Sequence, residues 1–216
     1  LHHLLGETFG PAMLQPFRLM VAPRARNGTL YAYARQDADG LRTLARAVLT
    51  PAQAAVVRLD HLRSLARPEG TWAAGQRLGF DLRLRPVVRL ASALVGTTED
   101  GTAVQFAKGA EVDAFLAAAL RGTPAPREAV YRNWLAERLA PAATLDADAT
   151  RLASFRRLRI QRGGQRLEGP EAILYGTLTV ADPNAFAALL ARGIGRHRTY
   201  GYGMLLLRPP QRARAC

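Results

Sequence analysis

The chain has 216 residues, 49% of them hydrophobic and 22% charged, proportions that are typical of a globular protein and exclude a disordered one. Its formal net charge is +13 at pH 7, and Lys108 is the only lysine among its 30 basic residues. Because an arginine guanidinium matches phosphate and guanine edges, this excess favours a nucleic-acid partner over a merely basic surface.

No apolar run of the sequence approaches the length of a membrane span, and no signal peptide is visible. The single cysteine, Cys216, excludes an internal disulfide and suits a reducing compartment, so we expect a cytoplasmic protein without a membrane partner. Since the chain begins with Leu1, we expect its native N-terminus to lie upstream.

Residues 1–72 are predicted to form a first domain in the order helix, strand, strand, helix, strand. The pattern predicts a helix over 1–9, strands over 17–22 and 30–35 around an Asn27-Gly28 turn, a helix over 41–48 and an extended segment over 55–66. One further strand before the first helix would complete a ferredoxin-like βαββαβ unit. We therefore expect this domain to lack its first strand in the given sequence.

Residues 73–216 are predicted to repeat the same scheme as a second ferredoxin-like domain. The predicted elements are a strand over 78–90, helices over 110–121 and 126–140, a linker over 140–150, a basic strand over 154–162, a Gly163-Gly164 turn, a strand over 172–180, a helix from Asp182-Pro183 to Gly193 and a last strand over 202–208. The expected fold is α+β, with two tandem ferredoxin-like (RRM-like) domains.

A basic strand and turn form the first candidate binding site. Its arginines are too dense on one short strand to be buried in a core: Arg156, Arg157, Arg159, Arg162 and Arg166. One interpretation is an edge strand that charge protects from aggregation. The favoured one is a two-stranded ribbon that lies along a phosphate backbone, because no acid interrupts the run before Glu168.

A glycine-rich loop, "GIGRHRTYGYGMLLLRPP" over 193–210, forms the second candidate site. It is neither a P-loop nor a dinucleotide fingerprint, because it follows a helix and precedes a strand. Its glycines let backbone amides approach a ligand, and its basic side chains favour phosphate. Tyr200 and Tyr202 could stack on bases or simply pack. The loop's candidate RNA-binding residues are Arg196, His197, Arg198 and Tyr200, and its glycines are Gly193, Gly195, Gly201 and Gly203.

Neither a metal site nor another cofactor site is expected. The four histidines and the single cysteine lack ligand spacing. The acidic pairs Glu111/Asp113 and Asp146/Asp148 are separated by two positions, which points such pairs apart on a helix.

The order helix, "GIGRHRTYGYG", "MLLL" strand resembles the end of the RAMP superfamily of CRISPR RNA-processing proteins. The chain is most similar to the CasE-like repeat endoribonucleases of type I-E systems and to their type IV counterparts. "LGFDLRLRPVVRL" over 78–90 and the basic ribbon support the resemblance. It implies metal-independent cleavage of CRISPR precursor RNA within its repeat hairpins by the RNA's own 2′-hydroxyl, giving a 2′,3′-cyclic phosphate and a 5′-hydroxyl. The implied partners are the repeat RNA and other subunits of an effector complex.

The resemblance also implies a catalytic histidine on the first helix, where this chain carries His2 and His3. His2 is favoured as the base by its spacing to Phe9, and two histidines without a role are the alternative. The family often pairs this histidine with a nearby tyrosine, and no tyrosine lies on this helix. His61 and His197 are lesser candidates, and His197 could bind phosphate or act as the acid. Two other functions remain open: a non-catalytic RNA-binding subunit of an effector complex, and an unrelated ferredoxin-like RNA-binding domain.

Overall fold

The computed structural model describes residues 1–98, 101–162 and 165–210, and of residues 160–162 and 165–167 it describes the backbone alone. The helices are α1 His2–Phe9, α2 Ala38–Val48, α3 Pro51–Ala54, α4 Ala114–Leu120, α5 Arg127–Leu139 and α6 Pro183–Arg192. The strands are β1 Phe17–Val21, β2 Gly28–Ala32, β3 Arg77–Leu84, β4 Val87–Arg89, β5 Leu94–Thr97, β6 Ala103–Phe106, β7 Glu111–Asp113, β8 Ala143–Arg162, β9 Gln165–Val180 and β10 Leu205–Arg208. None of these described helices has the length and apolar character that crossing a bilayer requires.

The second half of the chain is built around a four-stranded antiparallel sheet with the spatial order β10-β3-β9-β8. Taken with α5 and α6, these strands follow one another along the chain as a ferredoxin-like βαββαβ unit. Side chains alternate across the sheet, so that Phe80 and Leu82 face α5 and α6 while Asp81 and Arg83 face the other way. Each leucine that is fully buried in this way stabilises the unit by about 1.5–3 kcal/mol. The predicted fold of this half is confirmed.

A segment over 87–120 is inserted between β3 and α5 of this unit. It contains the pair β4-β7, the hairpin β5-β6 and the short helix α4, with a small core of its own around Leu90, Val112 and Ala117. The sequence pattern predicted a single strand over 78–90. Pro86 breaks that strand instead, since it has no N–H group for a ladder, and β4 leaves the main sheet to pair with β7.

The first half of the chain packs α1 and α2 on the hairpin β1-β2. Leu5, Phe9, Phe17, Leu41 and Ala45 form its core. The described part of 1–72 therefore holds two strands of a ferredoxin-like unit, fewer than the three expected, and the order α1-β1-β2-α2 is as predicted. Tyr33 links this half to the sheet, because its hydroxyl donates a 2.9 Å hydrogen bond to the Leu205 carbonyl.

The prediction of an extended segment over 55–66 is wrong, because these residues follow the end of α3 and form a 3₁₀ turn at Leu59–His61 and irregular backbone. Thr50 and Gln53 make a reciprocal capping box that starts a helix in place of a strand. Arg42 of α2 also donates to the carbonyls of Leu59 and Leu62, which a strand ladder would need.

Two other boundaries differ from the prediction. The helix expected over 110–121 begins only at Ala114, because Asp113 accepts a 2.9 Å hydrogen bond from the Phe115 amide as the N-cap and Glu111–Asp113 pair as β7. The linker expected over 140–150 lies mostly within β8, where the register shifts between Asp146 and Arg151. The polar residues that suggested a linker satisfy this bulge. The predicted Gly163-Gly164 turn lies outside the described residues.

Candidate active site

The glycine-rich loop after α6 is folded tightly on itself. The Ile194 amide donates to the Gly203 carbonyl, and the Gly203 amide donates to the Arg83 carbonyl on β3, both at 2.8 Å. Gly203 has a φ of +78°, and a Cβ atom there would lie 2.1 Å from the Ile194 oxygen. The protein's own backbone therefore requires glycine at 203, and these two amides bind protein carbonyls in place of a ligand.

A buried carboxylate fixes the far side of the loop. Glu171 of β9 accepts a 2.6 Å hydrogen bond from the Tyr202 hydroxyl and also pairs with Arg83 and Arg156. Burial opposes ionisation of Glu171, but the hydrogen bonds of Tyr202 and of the arginines outweigh it and lower its pKa. Burial raises the pKa of Tyr202 to about 12. Of the two tyrosines that could stack on bases, Tyr202 therefore packs inside the protein.

The other loop tyrosine, Tyr200, is 49% exposed and meets the first helix of the chain. The rings of His2 and Tyr200 are 5.9 Å apart between centroids and inclined at 62°, an edge-to-face contact. The ring of His197, which belongs to the same loop, lies 6.4 Å from that of Tyr200 between centroids. Tyr200 thus makes ring contacts with two histidines that are distant in the sequence.

The loop's basic residues are held by Glu111 of β7. One carboxylate oxygen of Glu111 lies 2.8 Å from His197 Nε2, and the other pairs with Arg196 Nε. Burial raises the pKa of Glu111, but the hydrogen bond from His197 and the charges of His197 and Arg196 lower it by more. Arg198 donates to the Arg192 carbonyl at 2.6 Å. Glu111 is the site residue that the sequence analysis missed, because that analysis predicted a helix over 110–121 where Glu111 lies on a strand. The available signal was Asp113, whose preference for the N-cap position would have started the helix after Glu111.

The other candidate histidines lie elsewhere. His3 is 90% exposed and pairs with Glu7, one turn along α1, at 3.0 Å. His61 is exposed on the 3₁₀ turn at Leu59–His61. Neither contacts Tyr200 or His197 among the described contacts, so His2 and His197 are the histidines whose described ring contacts include Tyr200.

An open cleft of about 840 Å³ lies between the two halves of the chain beside this cluster. Its walls come from the segment before β1, the end of β2, the end of α6 and the glycine-rich loop. Its basic lining residues are Arg35, Arg192, Arg196, His197 and Arg198. A cleft lined with guanidinium groups attracts a phosphodiester.

The predicted basic ribbon is formed by β8 and β9, in antiparallel register from Ala143 to Arg162. Arg157 and Arg159 are more than half exposed and share Glu168, at 3.8 and 3.5 Å. Arg156 instead bends onto Glu171 and so joins the ribbon to the Tyr202 network. The side chains of Arg162 and Arg166 lie outside the described residues. Acids from β9 thus partner three of the five predicted arginines.

Comparison with known proteins places this arrangement in a family context. A family model described as CRISPR associated protein matches residues 1–209. The structure is similar to that of Thermus thermophilus Cse3 bound to an RNA representing a pre-cleavage complex, with a TM-score of 0.57 and 21% identity over 96% of this chain and 87% of that one. It is also similar to the CRISPR-associated protein Cas6e from Escherichia coli str. K-12, with a TM-score of 0.59 and 19% identity over 96% of this chain and 90% of that one.

A chain of a CRISPR RNA-guided surveillance complex in a pre-nicking state is a third similar structure. Its TM-score is 0.50 and its identity 18%, over 90% of this chain and 76% of that one. None of the curated protein sequences matches the chain. At these identities the likeness shows the fold.

Proposed function

The chain belongs to the family of CRISPR-associated proteins, and from that premise we propose that it is an endoribonuclease that cuts CRISPR precursor RNA within its repeats. The observation that carries the proposal is the meeting of His2 on α1 with Tyr200 of the glycine-rich loop, beside an arginine-lined cleft. A fold that is similar to an RNA-bound Cse3 supports it.

The proposed chemistry is a transesterification within the RNA. The 2′-hydroxyl attacks the adjacent phosphorus in line, the P–O5′ bond breaks, and the products are a 2′,3′-cyclic phosphate and a 5′-hydroxyl. His2 removes the 2′-hydroxyl proton, a step that contributes on the order of 10²- to 10⁴-fold in rate. Arg196 and Arg198, which line the cleft, stabilise the charge that develops on the phosphorane oxygens.

Binding of the repeat hairpin is assigned to the ribbon of β8 and β9. Arg157 and Arg159 are exposed on it and offer their guanidinium groups to phosphates. Because the major groove of an A-form helix is narrow, the ribbon grips the hairpin mainly by its shape and backbone, and base contacts are confined to the hairpin's ends. The similarity to a chain of a surveillance complex supports retention of the cut RNA by an effector complex.

The test compares His2→Ala with His3→Ala in single-turnover cleavage of a repeat hairpin. His2→Ala is expected to slow the cut at least tenfold while repeat binding stays nearly intact, because a general base acts on the transition state. His3 is the matched control, since it points about 100° around the same helix from its neighbour and pairs with Glu7. Loss of activity in the His3 variant alone would move the assignment by one residue. Loss in neither would transfer the chemistry to Arg196 and Arg198.

Excess EDTA is expected to leave the cutting rate unchanged, because no step of the proposed chemistry uses a metal. Within the described residues, no three histidine, cysteine, aspartate or glutamate side chains gather as metal ligands. A rate that falls with EDTA and returns with Mg²⁺ would contradict this mechanism. A wild-type protein that binds the repeat tightly and never cuts it would instead be a non-catalytic subunit.

A further inference from the structure

The contact between Glu111 and His197 joins two distant parts of the chain at the candidate active site. Glu111 lies on β7, in the segment inserted into the ferredoxin-like unit, and His197 lies in the glycine-rich loop. His197 Nε2 lies 2.8 Å from one oxygen of the carboxylate, which leaves Nδ1 as the ring nitrogen available to a substrate. The His197 side chain is 27% exposed, so this ring is held in place at the edge of the cleft.

His197 and His2 lie on either side of Tyr200 in the chain of ring contacts. The ring centroids of His197 and His2 are 6.4 and 5.9 Å from that of Tyr200, so both imidazoles contact the same tyrosine ring. An in-line displacement has its attacking and leaving oxygens on opposite sides of the phosphorus. It therefore needs one group that removes a proton and a second, separate group that supplies one.

We infer that His197 is the general acid of the cut and that Glu111 positions it, an inference that rests on the proposed function. Glu111 accepts the hydrogen bond from Nε2–H, and Nδ1–H gives its proton to the 5′-oxygen as the P–O5′ bond breaks. The O2′–P bond forms in the same displacement, and His2 keeps the 2′-hydroxyl proton. The acid and the base exchange protons with water between turnovers, so protons and electrons balance.

The charges around His197 fit this role. Burial raises the pKa of Glu111, but the hydrogen bond from His197 and the charges of His197 and Arg196 lower it by more, so an ionised carboxylate faces the ring. Arg196 shares that carboxylate, and Arg35, Arg192 and Arg198 line the same cleft. Tyr200 is the remaining titratable group that faces the ring.

The test uses a repeat RNA whose scissile 5′-oxygen is replaced by sulfur. A thiolate leaves without protonation, because thiols ionise near pH 8.5 and alcohols do not. His197→Asn removes the acid, and asparagine tolerates the left-handed backbone that His197 adopts at a φ of +61°. This variant is expected to cut the oxygen substrate about 10²-fold more slowly than the wild type. It should cut the sulfur substrate within about threefold of the wild type.

His2→Ala is expected to cut both substrates slowly, because the 2′-hydroxyl proton must be removed whether the leaving atom is oxygen or sulfur. His61→Ala, an exposed histidine outside the cluster, is expected to match the wild type on both. Glu111→Gln is expected to slow the cut of the oxygen substrate and to be rescued by sulfur as His197→Asn is. A role of Glu111 in folding alone would slow both substrates.

The outcomes separate the two proposals. A wild-type protein that cuts neither RNA would contradict both the proposed function and the assignment of His197 as the general acid. A wild type that cuts both, with a His197→Asn defect that persists on the sulfur substrate, would overturn the general acid and leave the endoribonuclease standing. A Glu111→Gln defect that persists on the sulfur substrate would remove Glu111 from the positioning role.

Discussion

Tyr202 shows what a single hydroxyl does in this protein. Its ring is buried, with 4% of its surface exposed, and Arg83 lies over it at 4.6 Å from the ring centroid. Its hydroxyl donates to a carboxylate that is also buried. A hydrogen bond to a charged acceptor inside a protein is stronger than one between neutral groups, and its loss leaves the charge less well solvated.

We expect Tyr202→Phe to reduce the free energy of unfolding by about 1.5–3 kcal/mol, the range for a hydrogen bond to a charged group. Urea unfolding followed by circular dichroism measures it. Tyr31→Phe on the exposed face of β2 is the matched control and is expected to change stability by less than about 0.5 kcal/mol. Equal effects of the two changes would show that Glu171 does not depend on the Tyr202 hydroxyl.

Gly203 is a second position where a single added atom, a Cβ, is expected to lower stability. Gly70 is its matched control, because the two glycines have φ angles of +78° and +80°, while a Cβ at 70 would meet nothing within 4 Å. Gly70→Ala is expected to cost about 1–2 kcal/mol of stability from the backbone conformation alone. Gly203→Ala adds a clash with the Ile194 carbonyl and should cost at least about 2 kcal/mol more. Similar unfolding midpoints in urea for both variants would contradict the close approach.

At the scale of elements, the ribbon of β8 and β9 carries the binding prediction. RNA affinity is expected to fall with salt, because each phosphate contact releases counterions. Replacing Arg157 and Arg159 by alanine should flatten the slope of log K against log salt by about one to two units. The control removes the same charge elsewhere, at the exposed Arg26 and Arg46. A control that flattens the slope as much, or a slope near zero for the wild type, would contradict binding by the ribbon.

The elements that the sequence predicted correctly are those whose signals are local. Asp182 and Pro183 start α6 and Gly193 ends it, and each acts within one turn of its own end of the helix. The strand β7 was missed because its partner β4 lies more than twenty residues upstream, a pairing that no local pattern encodes. The strand predicted over 55–66 failed for a similar reason, since the Arg42 side chain of α2 donates to two of its carbonyls.

In the candidate site too, the residues were predictable from local sequence and their contacts were not. His2, Tyr200 and His197 were noticed as residue types in suggestive positions, but nothing in the sequence indicates that the first helix meets the last loop. The role of Glu111 depends on a contact with a residue 86 positions away. Tyr202 is buried and Tyr200 is exposed, although the two residues are separated by Gly201 alone.

At the scale of the whole molecule, acids serve to hold arginines in place. Arg18 and Arg208 meet on Asp81, Arg127 on Asp113 and Arg77 on Asp146. The chain keeps a net charge of +13 beyond such pairs, and a charge of this size attracts polyanions.

These pairs predict the response of stability to acid. The pKa values of Glu111 and Glu171 are lower in the folded protein than the ordinary 4.5. Their contribution is therefore complete above that value and is lost as the pH falls through the lower, folded pKa. We expect the free energy of unfolding to decrease from pH 5 downward, and Glu171→Gln to make that decrease shallower. An unchanged slope in the variant, from urea titrations at several pH values, would contradict the sign of the shift.

The placement of His2 and His197 on opposite sides of residues 62–76, which carry no helix or strand, has a consequence for the kinetics. If the protein were made as two polypeptides divided within that segment, neither would contain both histidines. RNA cutting would then rise with the product of the two concentrations until the pieces saturate each other. The order of the reaction, read from a dilution series, would report how firmly contacts such as Arg18–Asp81 and Tyr33–Leu205 hold the two pieces together.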